Sequence, residues 1–160
     1  MTGDAHRLHR RSVLGLVVAL ALGQASRPIL AAEPVIKVHK DPNCGCCTGW
    51  VQHLRDAGFA VEVEETSDLE QVRSRLGVPP ELAACHTAEM HGYLIEGHVP
   101  ALAVRRLLAE RPNARGIAVP GMPVGSPGME GEPAQPYTVI LFGADGQRPF
   151  MRFVREQAIG

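Results

Sequence analysis

The chain has 160 residues, 45% of them hydrophobic, and a formal net charge of −1. That length suffices for one domain with a core and is too short for two ordinary ones. Its basic residues are scattered, which excludes the clustered positive surface that a nucleic-acid partner needs.

The first segment reads as an export signal. Arg7, Arg10 and Arg11 form a positive start, and Val13 to Leu22 is a ten-residue apolar run, too short to span a bilayer. Small residues follow, so cleavage is expected after Ala32 or Ala25. Arg10-Arg11-Ser12-Val13-Leu14 also fits a twin-arginine signal, so either the Sec or the twin-arginine route is open. Residues 1–32 are thus read as a signal peptide and 33–160 as the folded domain. Cleavage after Ala32 removes four arginines and one aspartate, which moves the net charge from −1 to −4. A mildly acidic protein without membrane contact after cleavage fits the periplasm. That space is oxidising, so thiols kept free there need protection, and a bound metal supplies it.

Val35 to Lys40 predicts a short strand, with Ile36 and Val38 on one face. Asp41-Pro42-Asn43 is turn chemistry. A helix is expected from about Cys46 to Ala57, because Trp50, Val51, Leu54 and Ala57 recur at helical spacing before Gly58. Phe59, Val61 and Val63 alternate with polar residues, as in a half-buried strand. Ser67 or Asp68 can cap a second helix, with Leu69, Val72 and Leu76 inward and Gly77 at its end.

After Val78-Pro79-Pro80, Ala84 to Met90 and Tyr93 to Glu96 are expected as strands. Pro100 opens a third helix that runs to about Glu110, with Ala101, Val104, Leu107 and Leu108 inside. Gly116 to Pro136 is rich in Gly and Pro and reads as an irregular loop. Tyr137 to Phe142 is an apolar strand, and Ala144-Asp145-Gly146 turns it back into Phe150 to Val154. This order predicts an α/β fold, a thioredoxin-like sandwich with a C-terminal β-hairpin. In such folds the reactive cysteines sit at the start of the first helix, where free N–H groups and the dipole favour thiolate. Cys44 and Cys47 have the Cys-x-x-Cys spacing, and Val78-Pro79 sits where glutaredoxin-like folds place a cis-proline loop.

Cys44-Gly45-Cys46-Cys47 is the strongest chemical signal. Three thiols so close cannot all pair with one another, and adjacent cysteines bond only with strain. A soft metal explains the cluster better than inert disulfides do, and thiol–disulfide exchange through Cys44 and Cys47 is the competing enzyme reading. Cys85 can supply a fourth sulfur if its loop reaches the first helix. His86 and His98 are candidate imidazole ligands. Cys85 and His86 can share an ion only if the strand ends or bulges there, since neighbours on a strand point apart. Met122 and Met129 lie on the Gly/Pro loop, and thioethers suit copper(I) and suit zinc poorly. Copper(I), in one or several ions, is therefore the expected metal. Trp50 reads as core and His53 as a partly exposed helix residue. No Ser-His-Asp set, phosphate loop or paired-carboxylate signature occurs.

These motifs also carry a resemblance. Lys40-Asp41-Pro42-Asn43-Cys44-Gly45-Cys46-Cys47, Ala84-Cys85-His86-Thr87, Glu96-Gly97-His98-Val99-Pro100-Ala101 and Ala118-Val119-Pro120-Gly121-Met122-Pro123 resemble the family of small exported metal-binding proteins that includes the copper-resistance protein CopG. So do Gly92-Tyr93 and Gly125-Ser126-Pro127-Gly128-Met129. The resemblance implies a thioredoxin-like fold and a periplasmic role in copper resistance. It also implies a cysteine-bridged copper cluster able to change oxidation state, held by Cys44, Cys46, Cys47 and Cys85, with His86, His98 and the loop methionines as further ligands. Partners would be metal ions and other periplasmic copper-handling proteins, to which a chaperone could deliver copper. His39 and His91 fall outside the pattern and take no role.

Overall fold

The computed structural model describes residues 35–160. The export signal read over 1–32, with Arg7, Arg10, Arg11 and the run Val13 to Leu22, lies outside the described residues.

The described chain is a mixed α/β structure. Its strands are β1 (Val35–Lys40), β2 (Ala60–Glu65), β3 (His86–Met90), β4 (Tyr93–Glu96), β5 (Gly116–Ala118), β6 (Pro136–Gly143), β7 (Gly146–Val154) and β8 (Gln157–Ala158), and its α-helices are α1 (Gly45–Asp56), α2 (Leu69–Leu76) and α3 (Ala101–Glu110). The strands form one sheet in the order β2-β1-β3-β4-β5-β6-β7-β8. β2 runs parallel to β1 and β5 parallel to β4, while β3 is antiparallel to both of its neighbours. β5 to β8 continue as antiparallel pairs.

Alternation along the strands gives the sheet two covered faces. On one, Ile36, Val38, Ile95, Ile117 and Val139 pack with Trp50, Val51 and Leu54 of α1 and Val104 and Leu107 of α3. On the other, Leu94, Ala118 and Phe142 pack with Val78 and Leu82, beside the end of α2. The third helix has no cap of its own: His53 of α1 accepts the Ala101 N–H at 2.9 Å and supplies it from outside. Asp68 caps α2, accepting the Gln71 N–H at 3.0 Å.

Several expectations are corrected. The alternation at β2 holds only in part: Phe59 and Val61 pack against the core, but β2 is an edge strand paired on one side, and Val63 is 38% exposed. The strand expected from Ala84 begins only at His86, because Pro80–Leu82 forms a 3₁₀ turn first. Val78–Pro79 is not a cis peptide, as the sole cis bond among the described residues is Glu132–Pro133. Pro79 instead leads into the 3₁₀ turn. Inside the expected loop, Gly116–Ala118 adds a strand between β4 and β6. The hairpin partner β7 starts at Gly146 rather than Phe150.

Candidate metal centre

The centre starts at the turn from β1 into α1. The Cys44 N–H donates to Asp41 O at 3.1 Å, which closes the turn. Cys44 then takes the N-cap position, and its Sγ accepts the Cys47 N–H at 3.3 Å. A sulfur here does what a Ser or Asp oxygen does elsewhere, and on reduction to a thiol the helix N-terminus favours its thiolate. Helical spacing brings the side chains three residues apart together. Cys44 and Cys47 are bonded as a disulfide, with Cα atoms 5.4 Å apart, and Cys46 and Cys85 are free thiols.

Cys46 lies between the two halves of the site. Its Sγ is 3.5 Å from Cys44 Sγ and 3.7 Å from Cys85 Sγ. Cys47 Sγ lies 3.4 Å from the Cys85 carbonyl oxygen. All four sulfurs fall within 4.8 Å of one another, so this set could hold a metal ion. Residue 85 thus reaches a cluster some forty positions earlier in the chain, as its role as fourth sulfur required.

A buried ion pair, absent from the sequence reading, places Cys85. Glu96 at the end of β4 is fully buried. Its carboxylate accepts the Ala84 N–H at 2.7 Å, the Thr87 Oγ1–H at 2.5 Å and the Arg73 Nε–H at 3.0 Å. Arg73 of α2 also donates to the Ala84 carbonyl. Residues on both sides of Cys85 are therefore tied to one carboxylate. Burial pushes the Glu96 pKa up, and its bonds to Thr87, Ala84 and Arg73 oppose that. The available signal was a single charged residue closing an otherwise apolar strand.

His98 and His86 complete the surroundings. His98 Nδ1 lies 2.7 Å from Pro127 O. A carbonyl only accepts, so Nδ1 carries the proton and Nε2 presents its lone pair to Cys85 Sγ at 2.9 Å. His86 is held the other way round. Its Nε2–H donates to Gly97 O at 2.9 Å, and Nδ1 faces Cys85 Sγ at 3.8 Å. The His86 ring packs on Trp50, with centroids 4.2 Å apart, and Trp50 Nε1–H donates to Val99 O at 2.8 Å. Cys85, His86 and His98 form a second group of ligand atoms within 4.8 Å. Both can face one point because Cys85 precedes the first residue of β3.

Burial sets the protonation states. It pushes His86 down to about 3, helped by nearby His98, and it also lowers His98. Both imidazoles are therefore neutral at pH 7, the form that ligates metals. Burial, followed by neighbouring Cys46, pushes the Cys85 thiol up to about 12. Without a metal this site holds a proton on Cys85, and a metal would displace it.

The Gly/Pro loop lies directly on the helix start. A Cβ on Gly128 (φ +83°) would sit 2.4 Å from Cys46 O and 2.7 Å from Trp50 N, so only glycine fits. That contact brings Pro127 O over His98. Met122 is 54% exposed and shares an open pocket of about 270 Å³ with Ala83, Ala84, Cys85 and Gly121. Met129 is half-buried beside Gly128, with its N–H donating to Ser126 O at 2.8 Å.

His53 caps α3 and takes no part in either ligand group. His39 is buried between Glu89 and Glu64, with Nε2 3.0 Å and Nδ1 3.7 Å from their carboxylates. His91 sits in the β3–β4 turn.

A family described as "Protein of unknown function, DUF411" matches residues 82–129. That span holds Cys85, His86, Glu96, His98 and both loop methionines. Two solved structures named copper resistance protein CopG are similar over nearly their whole length. Form 2 has 44% identity and a TM-score of 0.71, covering 75% of this chain and 98% of its own. Form 1 has 43% identity and a TM-score of 0.70, covering 75% of this chain and 97% of its own. No curated protein matches the chain.

Proposed function

This chain belongs to the DUF411/CopG family, and from that premise we propose that it is a periplasmic copper-binding protein of copper resistance. It holds copper(I) among Cys44, Cys46, Cys47 and Cys85, either to sequester the metal or to interconvert its oxidation states. The observation that carries this reading is the convergence of four sulfurs within 4.8 Å. Thiolates at that spacing can bridge soft ions, and copper(I) prefers them to oxygen donors. Loading all four requires reduction of the Cys44–Cys47 bond, which takes two electrons and two protons from an external dithiol that is itself oxidised to a disulfide. Formation of the metal–thiolate bonds then displaces the thiol protons to water.

His86 and His98 add neutral nitrogen donors beside Cys85, and Met122 adds a thioether near the surface. Met129 is a further soft donor on the same loop. The β2-β1-β3-β4 order with its three helices supports a thioredoxin-like core, extended here by β5 to β8. Residues 1–32 supply the export signal and 33–160 the metal-binding domain. Delivery to another exported copper-handling protein is compatible with half-exposed Cys46.

Copper(I) titration of the reduced protein against a competing chelator tests the reading. More than one equivalent per chain should bind, and Cys46→Ser should lower that load. Uptake of zinc with no copper(I) would contradict it.

One observation favours a second reading, that of a thiol–disulfide oxidoreductase: the Cys44–Cys47 bond sits at a helix N-terminus. Disulfide-reductase activity in metal-free protein that survives Cys46→Ser and Cys85→Ser would favour it.

A further inference from the structure

We propose that His39 and Glu64 form a sulfur-free metal position, on the opposite face of the sheet from His86, that takes a borderline divalent cation such as zinc or copper(II). It shares no donor with the four-sulfur centre.

Sheet register builds it. β1 lies between β2 and β3. Lys40 pairs with His86, so His39, one residue earlier, points to the other face. There it lies opposite Glu64 of β2, while Glu89 of β3 pairs with Lys37 two residues back. His39 is fully buried, and the Glu64 side chain beside it is half-exposed.

The ring is already aimed. Glu89 Oε1 lies 3.0 Å from Nε2, and a carboxylate only accepts, so Nε2 carries the proton of the neutral ring and Nδ1 the lone pair. A carboxylate behind the outer nitrogen is what orients metal-bound histidines. Nδ1 is buried and has no hydrogen-bond partner among the described residues. A buried polar atom of this kind calls for an explanation. Nδ1 faces Glu64 Oε1 at 3.7 Å, too far for a hydrogen bond. Two bonds of about 2.1 Å to a shared ion span that gap at an open angle. Lys37 Nζ holds the other Glu64 oxygen, Oε2, at 2.6 Å and leaves Oε1 to the ion. Lys37, with lesser help from His39 and Arg75, lowers the Glu64 pKa, so the ligand is already anionic. The Lys37 ammonium opposes a cation only weakly, because the pair is exposed to water.

Imidazole nitrogen with carboxylate oxygen suits zinc and copper(II), whereas copper(I) prefers sulfur. Water completes the coordination from the exposed Glu64 side. Binding forms one metal–nitrogen and one metal–oxygen bond. Nδ1 carries no hydrogen, so no proton is released, and no electron moves.

Zinc is the probe, because it is redox-silent and leaves NMR lines sharp. Full-length Cys46→Ser/Cys85→Ser protein, with the Cys44–Cys47 bond intact, has no free thiol to compete. Zinc titration should move the His39 Nδ1 resonance from its lone-pair position to a metal-bound one. Glu64→Gln, at an exposed site, should weaken that binding at least tenfold, with circular dichroism confirming the fold. A His39 Nδ1 resonance that zinc leaves in place would overturn the proposal, whether it reads as lone pair or as N–H donated to Glu64. So would equal zinc affinity with and without the Glu64 carboxylate. Copper(I) titration of reduced wild type reads the four-sulfur centre independently, and its failure would leave this position standing.

Discussion

At the scale of single residues, the centre depends on one carboxylate that ligates nothing. Glu96 receives hydrogen bonds from Ala84, Thr87 and Arg73, and so fixes the backbone on both sides of Cys85. Removing one partner of a buried pair leaves the other charge or donor uncompensated. Glu96→Ala should therefore cost about 3 kcal/mol in denaturant unfolding, and Glu96→Gln distinctly less because it can still accept from Ala84. Equal stability of Glu96→Ala and wild type would contradict this role. His86 gives a pH-dependent prediction. Its pKa is about 3 in the fold, against the ordinary value of 6.5. The unfolded chain takes up this proton as pH falls below 6.5, and the folded chain does not. Stability is thus full above 6.5 and declines toward 3, by about 2 kcal/mol at pH 5. The difference in unfolding free energy between wild type and His86→Gln, followed from pH 7.5 to 5, should show that slope. A difference independent of pH would refute it. Among residues, the cysteines were legible because their spacing alone restricts the chemistry. Glu96 and Arg73 were not, since a lone charge in sequence gives no sign of a partner 23 positions away.

Among the elements, the loop after β5 matters most. The sequence marks Gly116 to Pro136 as irregular through its Gly and Pro content, but nothing in it says where the loop lies. Gly128 does, by close approach to the first turn of α1. In Gly128→Ala the added methyl meets backbone, not a movable side chain, at a left-handed position. The loop must lift, which should destabilise the fold by about 1–3 kcal/mol and loosen the Pro127 bond to His98. Faster hydrogen exchange around Pro127–Met129 would register the lift, and unchanged exchange would count against the docking. The helices were legible because each has a buried stripe and end signals, such as Asp68 before α2 and Gly58 after α1. β5 was not, because three residues that include a glycine show no alternation. Val63 misled for a related reason: its pattern fits a half-buried strand, yet β2 has a neighbour on one side only.

Across the whole molecule, the order of elements in the sequence predicts a mixed α/β fold, and the sheet with its two covered faces agrees. What local patterns cannot state is which distant segments meet. Cys85 could be assigned to the cluster only by assuming a topology, and the antiparallel pairing of β1 with β3 is what delivers it. The same pairing puts Lys40 opposite His86, next to the turn that carries Cys44. The centre is thus a product of sheet register. X-ray absorption on reduced, copper(I)-loaded protein tests that convergence most directly. The account predicts sulfur-dominated copper coordination with a copper–copper scattering feature that disappears in Cys85→Ser along with part of the bound copper. An identical spectrum and identical copper content in Cys85→Ser would show that Cys44, Cys46 and Cys47 bind metal without it, and would contradict the shared centre.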